Sequence, residues 1–186
     1  EVAEIMQMEN LGMDIGTNGN NRISIANDGH VTLSNAISFN AETATANRLD
    51  DYEEGSWTPV PARYTGGNAN LSMSTQNGKY TKIGNMVRLE FYIVISSVTS
   101  QGGSLTQLRG LPFLPNASYQ NTGVCFYNDG FQHDNDQDYT IITTVHQDNS
   151  GVVYFKSNGC DAGNGLATKD FQAGTITGSV TYLTDS

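Results

Sequence analysis

The chain of 186 residues is long enough for one domain of ordinary size plus an appendage, and it leaves little room for a second, independent enzyme domain. Its 9 Lys plus Arg against 19 Asp plus Glu give a formal net charge of −10, and no basic cluster with interleaved aromatics offsets this locally, which argues against nucleic-acid binding. The longest apolar stretch, Phe91 to Ile95, falls far short of the ~20 residues that a membrane-spanning helix requires, so no membrane insertion is expected.

In residues 1 to 11, Val2, Ile5, Met6 and Leu11 stand near helical spacing with Gly12 as a stop, which predicts a short N-terminal helix. The start at Glu1, without a methionine or a basic-then-apolar leader, suits a fragment of a longer chain. Next, Arg22 to Ile25 and Val31 to Leu33 alternate around Asn27-Asp28-Gly29, a tight-turn triplet, and predict a hairpin. Two isolated strands are marginal in water, and Ala36 to Ala46 supply few large apolar partners for Ile23, Ile25, Val31 and Leu33. Self-association about a shared axis solves this, so residues 1–48 read as a shaft or trimerisation segment; the competing reading packs the hairpin on its own chain's globular part.

Residues 49–61 hold the densest acidic cluster, Asp50, Asp51, Glu53 and Glu54, beside the single tryptophan, Trp57. Four like charges in five positions read as a solvated, extended hinge rather than a metal site. Trp57 is expected to fold over the bottom of the following core, with an exposed sugar-stacking platform as the rival role. Pro59 and Pro61 stiffen the exit from the hinge.

Residues 62–186 read as an all-β head. Val87, Leu89, Phe91, Ile93 and Ile95 fall on one face of a strand, with Arg88, Glu90 and Tyr92 on the other. The preceding strand ends at Lys79-Tyr80-Thr81-Lys82-Ile83, and Gly84-Asn85 suits a type II′ hairpin between the two. Further strands are expected at Val124 to Tyr127, Tyr139 to His146, Val152 to Lys156 and Thr175 to Leu183, with short ones near Trp57 and Leu71. That makes about eight, enough for an antiparallel β-sandwich of jelly-roll-like form. Leu111-Pro112-Phe113-Leu114-Pro115 cannot be a central strand and should cross between sheets or run along an edge, with Phe113 as a core anchor.

Three elements occur in order along this chain: the segment Leu49 to Pro59 with its tryptophan, then Gly78-Lys79-Tyr80-Thr81-Lys82-Ile83-Gly84-Asn85-Met86-Val87, then Gly110-Leu111-Pro112-Phe113. Their combination resembles the distal domain of bacteriophage tail-fibre and related virion-fibre proteins over about residues 47 to 186. The pattern Arg22-Ile23-x-Ile25 with Gly29, Val31 and Leu33 is similar to the repeat units of tail-fibre shafts, although it occurs once here. The resemblance implies a homotrimeric, non-enzymatic virion protein, assembled in the host cytoplasm, that needs no cofactor. Its partners would be a host cell-surface receptor, of glycan or other chemistry, and other virion proteins. An architectural capsid or head fibre and a monomeric carbohydrate-binding module are the alternatives.

Candidate chemistry is sparse. His30, His133 and His146 fall in a turn, an acidic loop and a strand end, without a nucleophile elbow or a paired-histidine helix. Cys125 and Cys160 show no metal-ligand spacing, and whether they pair stays open; a reducing cytosol, implied by the resemblance, disfavours it. The loop from Tyr127 to Tyr139 combines turn residues, aromatics and alternating acids. Tyr127, Asp129, Phe131, His133, Asp134, Asp136 and Tyr139 are therefore the candidate receptor-binding residues, with rings to stack on sugars and carboxylates to accept from hydroxyls. Asp134, Asp136 and Asp138 alternate as in a calcium loop, but the twelfth position is Val145 rather than Glu, so this is no EF-hand; a plain acidic hairpin tip is the leading alternative to a receptor contact, and a calcium site of another geometry stays open.

Overall fold

Among the described residues, every regular element in the computed structural model is a β-strand. It describes residues 7–38, 48–49, 51–63, 71–99, 106–116, 118, 121–128, 131, 141–145, 151–157 and 171–185. The chain divides into two units, Glu1–Asp51 and Tyr52–Ser186.

In the first unit β1 (Met13–Thr17), β2 (Asn20–Ile25) and β3 (Val31–Leu33) form an antiparallel three-stranded sheet. The β2–β3 hairpin is the one expected from Asn27-Asp28-Gly29, with Gly29 at φ 86° and the His30 amide donating to Asp28 Oδ1 at 3.0 Å. β1 was not expected. Asn18 and Gly19, at φ 51° and 73°, form a two-residue turn with both central residues left-handed, and its twist suits the strands on either side. Met13 and Ile15 thus follow strand period rather than the helical spacing read upstream. Residues 7–12 are not helical, and no helix occurs among the described residues; the rest of the expected N-terminal helix lies outside them. β4 (Ile37–Ser38) and β5 (Arg48–Leu49) make a separate two-stranded ladder.

The described residues of the second unit form one nine-stranded antiparallel sheet. Its strands are β6 (Tyr52–Trp57), β7 (Val60–Arg63), β8 (Leu71–Ile83), β9 (Met86–Val98), β10 (Thr106–Arg109), β11 (Asn121–Asn128), β12 (Ile141–Val145), β13 (Val153–Ser157) and β14 (Gly174–Leu183). The spatial order is β6-β8-β9-β14-β11-β12-β13-β10-β7. The two edge strands, β6 and β7, are consecutive in the chain with only Thr58 and Pro59 between them, so the sheet must roll over on itself. Phe91 on β9 and Phe155 on β13 are separated in the sheet by β14, β11 and β12, yet their rings meet edge-on with centroids 6.0 Å apart. The expected sandwich is thus built from two facing parts of one continuous sheet.

The core lies between those parts. Val87, Leu89, Phe91, Ile93 and Ile95 are all buried, as their period-two spacing requires, and they meet Leu108, Val153, Phe155, Ile176, Val180 and Tyr182. Each such side chain contributes about 1.5–3 kcal/mol when removed from water. The β8–β9 hairpin turns on Gly84 at φ 57°, the left-handed first position of the expected type II′ turn.

One expectation needs correction. Glu53 and Glu54 do not belong to a solvated hinge; both lie in β6, hydrogen-bonded along β8 from Tyr52 opposite Ile83 to Trp57 opposite Gly78. Their charge is accommodated because Tyr80 Oη donates to Glu53 and Tyr52 Oη donates to Glu54 Oε2 at 2.9 Å, while buried Trp57 anchors the strand end. Charged side chains on an edge strand also discourage pairing with another sheet. Trp57 itself closes the core as expected, and its burial removes the stacking-platform role. Phe113 packs against the core as expected, half-buried at its margin: it is edge-on to Tyr80 with centroids 5.4 Å apart, and Lys82 Nζ lies 5.6 Å from its ring centroid. The Leu111–Pro115 segment is no strand; its carbonyls accept from the Tyr182 and Thr184 hydroxyls at 2.8 and 2.7 Å and tie it to the end of β14.

Candidate functional site

Strand register lays out the outward face of the layer β8–β9–β14–β11. One cross-strand row runs Asn77, Tyr92, Thr177, Phe126, and the next runs Lys79, Glu90, Ser179, Val124. Directly paired residues share a face, and the intervening positions Phe91, Gly78 and Gly178 turn their Cβ directions inward. The β8, β9 and β14 members of these rows, together with Arg88, surround an open trough of about 430 Å³, which is within the size range of small-ligand sites.

Its chemistry is polar with aromatic flanks. Arg88 Nη2 and Nε lie 3.0 and 3.3 Å from Glu90 Oε1, and both side chains are more than half exposed, so the pair contributes at most about 1 kcal/mol to stability. What the pair does supply is a guanidinium and a carboxylate held side by side. Lys79 Nζ donates to Ser56 Oγ at 2.9 Å, and Thr177 Oγ1 donates to the Phe91 carbonyl at 3.1 Å, which orients the hydroxyl. Tyr92 is 44% exposed and Phe126, one strand beyond Thr177, is 69% exposed. Among the described residues lining the trough Glu90 is the one carboxylate.

The residues singled out from the sequence fare differently. Phe131 is not an exposed aromatic: at 1% exposure it lies in the core, stacked on Phe171 with centroids 5.6 Å apart and edge-on to Phe155 at 5.0 Å. Its hydrophobic ring found aromatic partners from distant parts of the chain, Phe155 on β13 and Phe171 ahead of β14, which outweighs the polar character of its neighbours in the chain. Tyr127 is the penultimate residue of β11, opposite Ile176. Asp129, His133, Asp134, Asp136 and Tyr139 lie outside the described residues, as does Cys160. Cys125 is half-buried, and burial pushes its thiol up to about 12. The trough residues themselves were passed over because they are the outward positions of strands read for their inward faces. The signal available was Tyr92, an aromatic at an outward position of the central strand.

The fold is similar to part of the Dettilon tailspike protein (gp208), known from its crystal structure. The TM-score is 0.52 with 20% sequence identity, and the match covers 69% of this chain. It covers 23% of the tailspike, so this chain matches less than a quarter of that protein's length. No protein-family model and no curated protein sequence matches the chain.

Proposed function

We propose that this chain is the distal part of a bacteriophage tail appendage, a homotrimeric virion protein that attaches to a host cell-surface receptor. The observation that carries the reading is the fold it shares with a tailspike protein, reached independently of the short motifs that resemble tail-fibre distal domains. The likeness speaks for the architecture, and the attachment role is drawn from it by analogy.

The trimer rests on the first unit. The register aligns Met13, Ile25 and Val31 in one row and Ile15, Ile23 and Leu33 in the next, which gives a three-stranded sheet with one continuous apolar face. Ile15, Val31 and Leu33 are exposed at 49%, 54% and 39% in the single chain. Three copies arranged about an axis would cover these faces with one another, whereas a monomer would leave them wet. The role assigned is binding rather than catalysis, with other virion proteins as neighbours and no cofactor. A capsid or head fibre that serves only architecture, and a monomeric carbohydrate-binding module, are the readings it competes with.

Light scattering behind a size-exclusion column tests the assembly, and adsorption of the purified protein to candidate host cells tests the role. A particle of three times the 20.1 kDa chain mass that adsorbs to cells is expected. A stable monomer at micromolar concentration would transfer support to the carbohydrate-binding module, and a trimer that adsorbs to no host would transfer it to the architectural fibre.

A further inference from the structure

We propose that the trough on the outward face of β8–β9–β14–β11 binds an uncharged pyranose, held between Tyr92 and Phe126. The site names a ligand class for the attachment function and rests on that reading for its biological role alone; the binding chemistry is argued from the trough.

Tyr92, Thr177 and Phe126 occupy one register row on three successive strands. Neighbouring strands lie ~4.8 Å apart, which puts the two aromatic residues about 10 Å from each other across the sheet, with only the small Thr177 between them. Aromatic walls over a low polar floor suit a sugar ring, whose axial C–H groups form an apolar face while its hydroxyls radiate around the rim. Hydroxyl partners stand in the next register row: Glu90, hydrogen-bonded to Arg88, and Ser179 lie beside the gap over Thr177, while Asn77 and Lys79 line the trough on the far side of Tyr92 and Glu90.

Exposure points the same way. A phenylalanine at 69% and a tyrosine at 44% exposure on one face, joined by Val124 at 66%, gain little from folding, so this apolar area is available to a ligand. Rigid aromatic side chains contribute contact area at low entropic cost. Charge selects among saccharides. Glu90 stands between Arg88, which is hydrogen-bonded to it, and Lys79, which is its cross-strand partner and donates to the neutral Ser56 hydroxyl, so the lining offers an acidic sugar no cluster of unopposed cations, and the chain's net charge of −10 repels one at long range. A shallow site of this kind binds weakly in one copy, and repetition on a trimer raises its effective strength.

Saturation-transfer NMR on the full chain tests the proposal with glucose, galactose and N-acetylglucosamine as uncharged probes and glucuronic acid as the charged one. Transfer to at least one uncharged sugar, little to glucuronic acid, and about tenfold weaker binding in Tyr92→Ala and Phe126→Ala are expected. Tyr92→Phe should retain most of the binding, because stacking survives loss of the hydroxyl, and unchanged melting of each variant separates lost binding from lost fold. Four results would overturn the site: no transfer from any uncharged probe, preference for glucuronic acid, binding indifferent to both alanine variants, or Phe126→Ala dissociating the oligomer, which would make this face an interface between copies. Cell adsorption is scored separately. Adsorption untouched by Tyr92→Ala removes the trough from host attachment and leaves the attachment reading, whereas sugar binding by a chain that neither trimerises nor adsorbs leaves the site and removes that reading.

Discussion

Trp57 lies against Gly78, its cross-strand partner, so closely that a Cβ built on the glycine would sit 2.4 Å from the indole Nε1. The contact is part of one row that crosses the sheet, Trp57, Gly78, Phe91, Gly178 and Cys125, in which large rings alternate with glycines. Phe91 covers Gly178 as Trp57 covers Gly78: a Cβ on Gly178 would stand 2.6 Å from its Cζ. Glycine is required at both positions because the neighbouring ring occupies the place of a side chain, and the indole is held there by its 3.2 Å hydrogen bond to the Glu90 carbonyl.

Gly78→Ala should therefore destabilise the head by about 1–3 kcal/mol through displacement of the indole. Chemical denaturation followed by tryptophan fluorescence reads both the stability and the ring's environment. An unchanged midpoint with an unchanged spectrum would mean the ring is not held on the glycine.

Truncation of Phe155 to Ala should cost more, about 3–5 kcal/mol, since its ring meets Phe91, Phe131 and Phe171 at the centre of the core. Ser97→Ala, at an exposed position on β9, is the control and should stay within about 0.5 kcal/mol. Equal effects of the two would argue against the rolled sheet.

Alkaline pH should weaken the head through Cys125. Burial holds its folded-state thiol up at about 12, above the ordinary value of 9.0. Between those values the unfolded chain releases the proton while the folded chain keeps it, so the stabilisation is complete below pH 9 and is lost as pH rises toward 12. Tyr182, also raised by burial, adds a loss in the same direction above pH 10. Melting temperature should fall from about pH 9 upward, and Cys125→Ala should flatten the first part of that fall. Rapid alkylation of the native thiol at pH 8 would contradict the burial on which the prediction depends.

Val31→Asp should convert the proposed trimer to monomers, because it places a charge in the row formed with Met13 and Ile25. The measurement is native mass. Retention of a trimer would remove this face from the interface.

Removing residues 1–48 should leave a cooperatively folding monomer, since all nine strands of the head sheet begin at Tyr52 or later. Circular dichroism during heating and light scattering decide the two parts of the statement. Loss of cooperative melting would show that the head depends on the first unit.

The sequence by itself determined the all-β class, the β8–β9 hairpin with its Gly84 turn, and the inward face of β9. These are local facts: a period of two and a residue able to take positive φ are written within a few consecutive positions. It also exposed the deficit of the β2–β3 hairpin, whose apolar residues outnumber the local partners available to them. The tertiary structure alone decided what depends on residues far apart in the chain. β6 reads as a charged linker until β8 pairs with it, and Phe131 reads as a loop aromatic until Phe155 and Phe171 arrive around it. The trough was hidden for the same reason. Tyr92, Thr177 and Phe126 become neighbours only when antiparallel register brings β9, β14 and β11 together, and register across strands of such separation is set by the packing of their inward faces rather than by any short pattern.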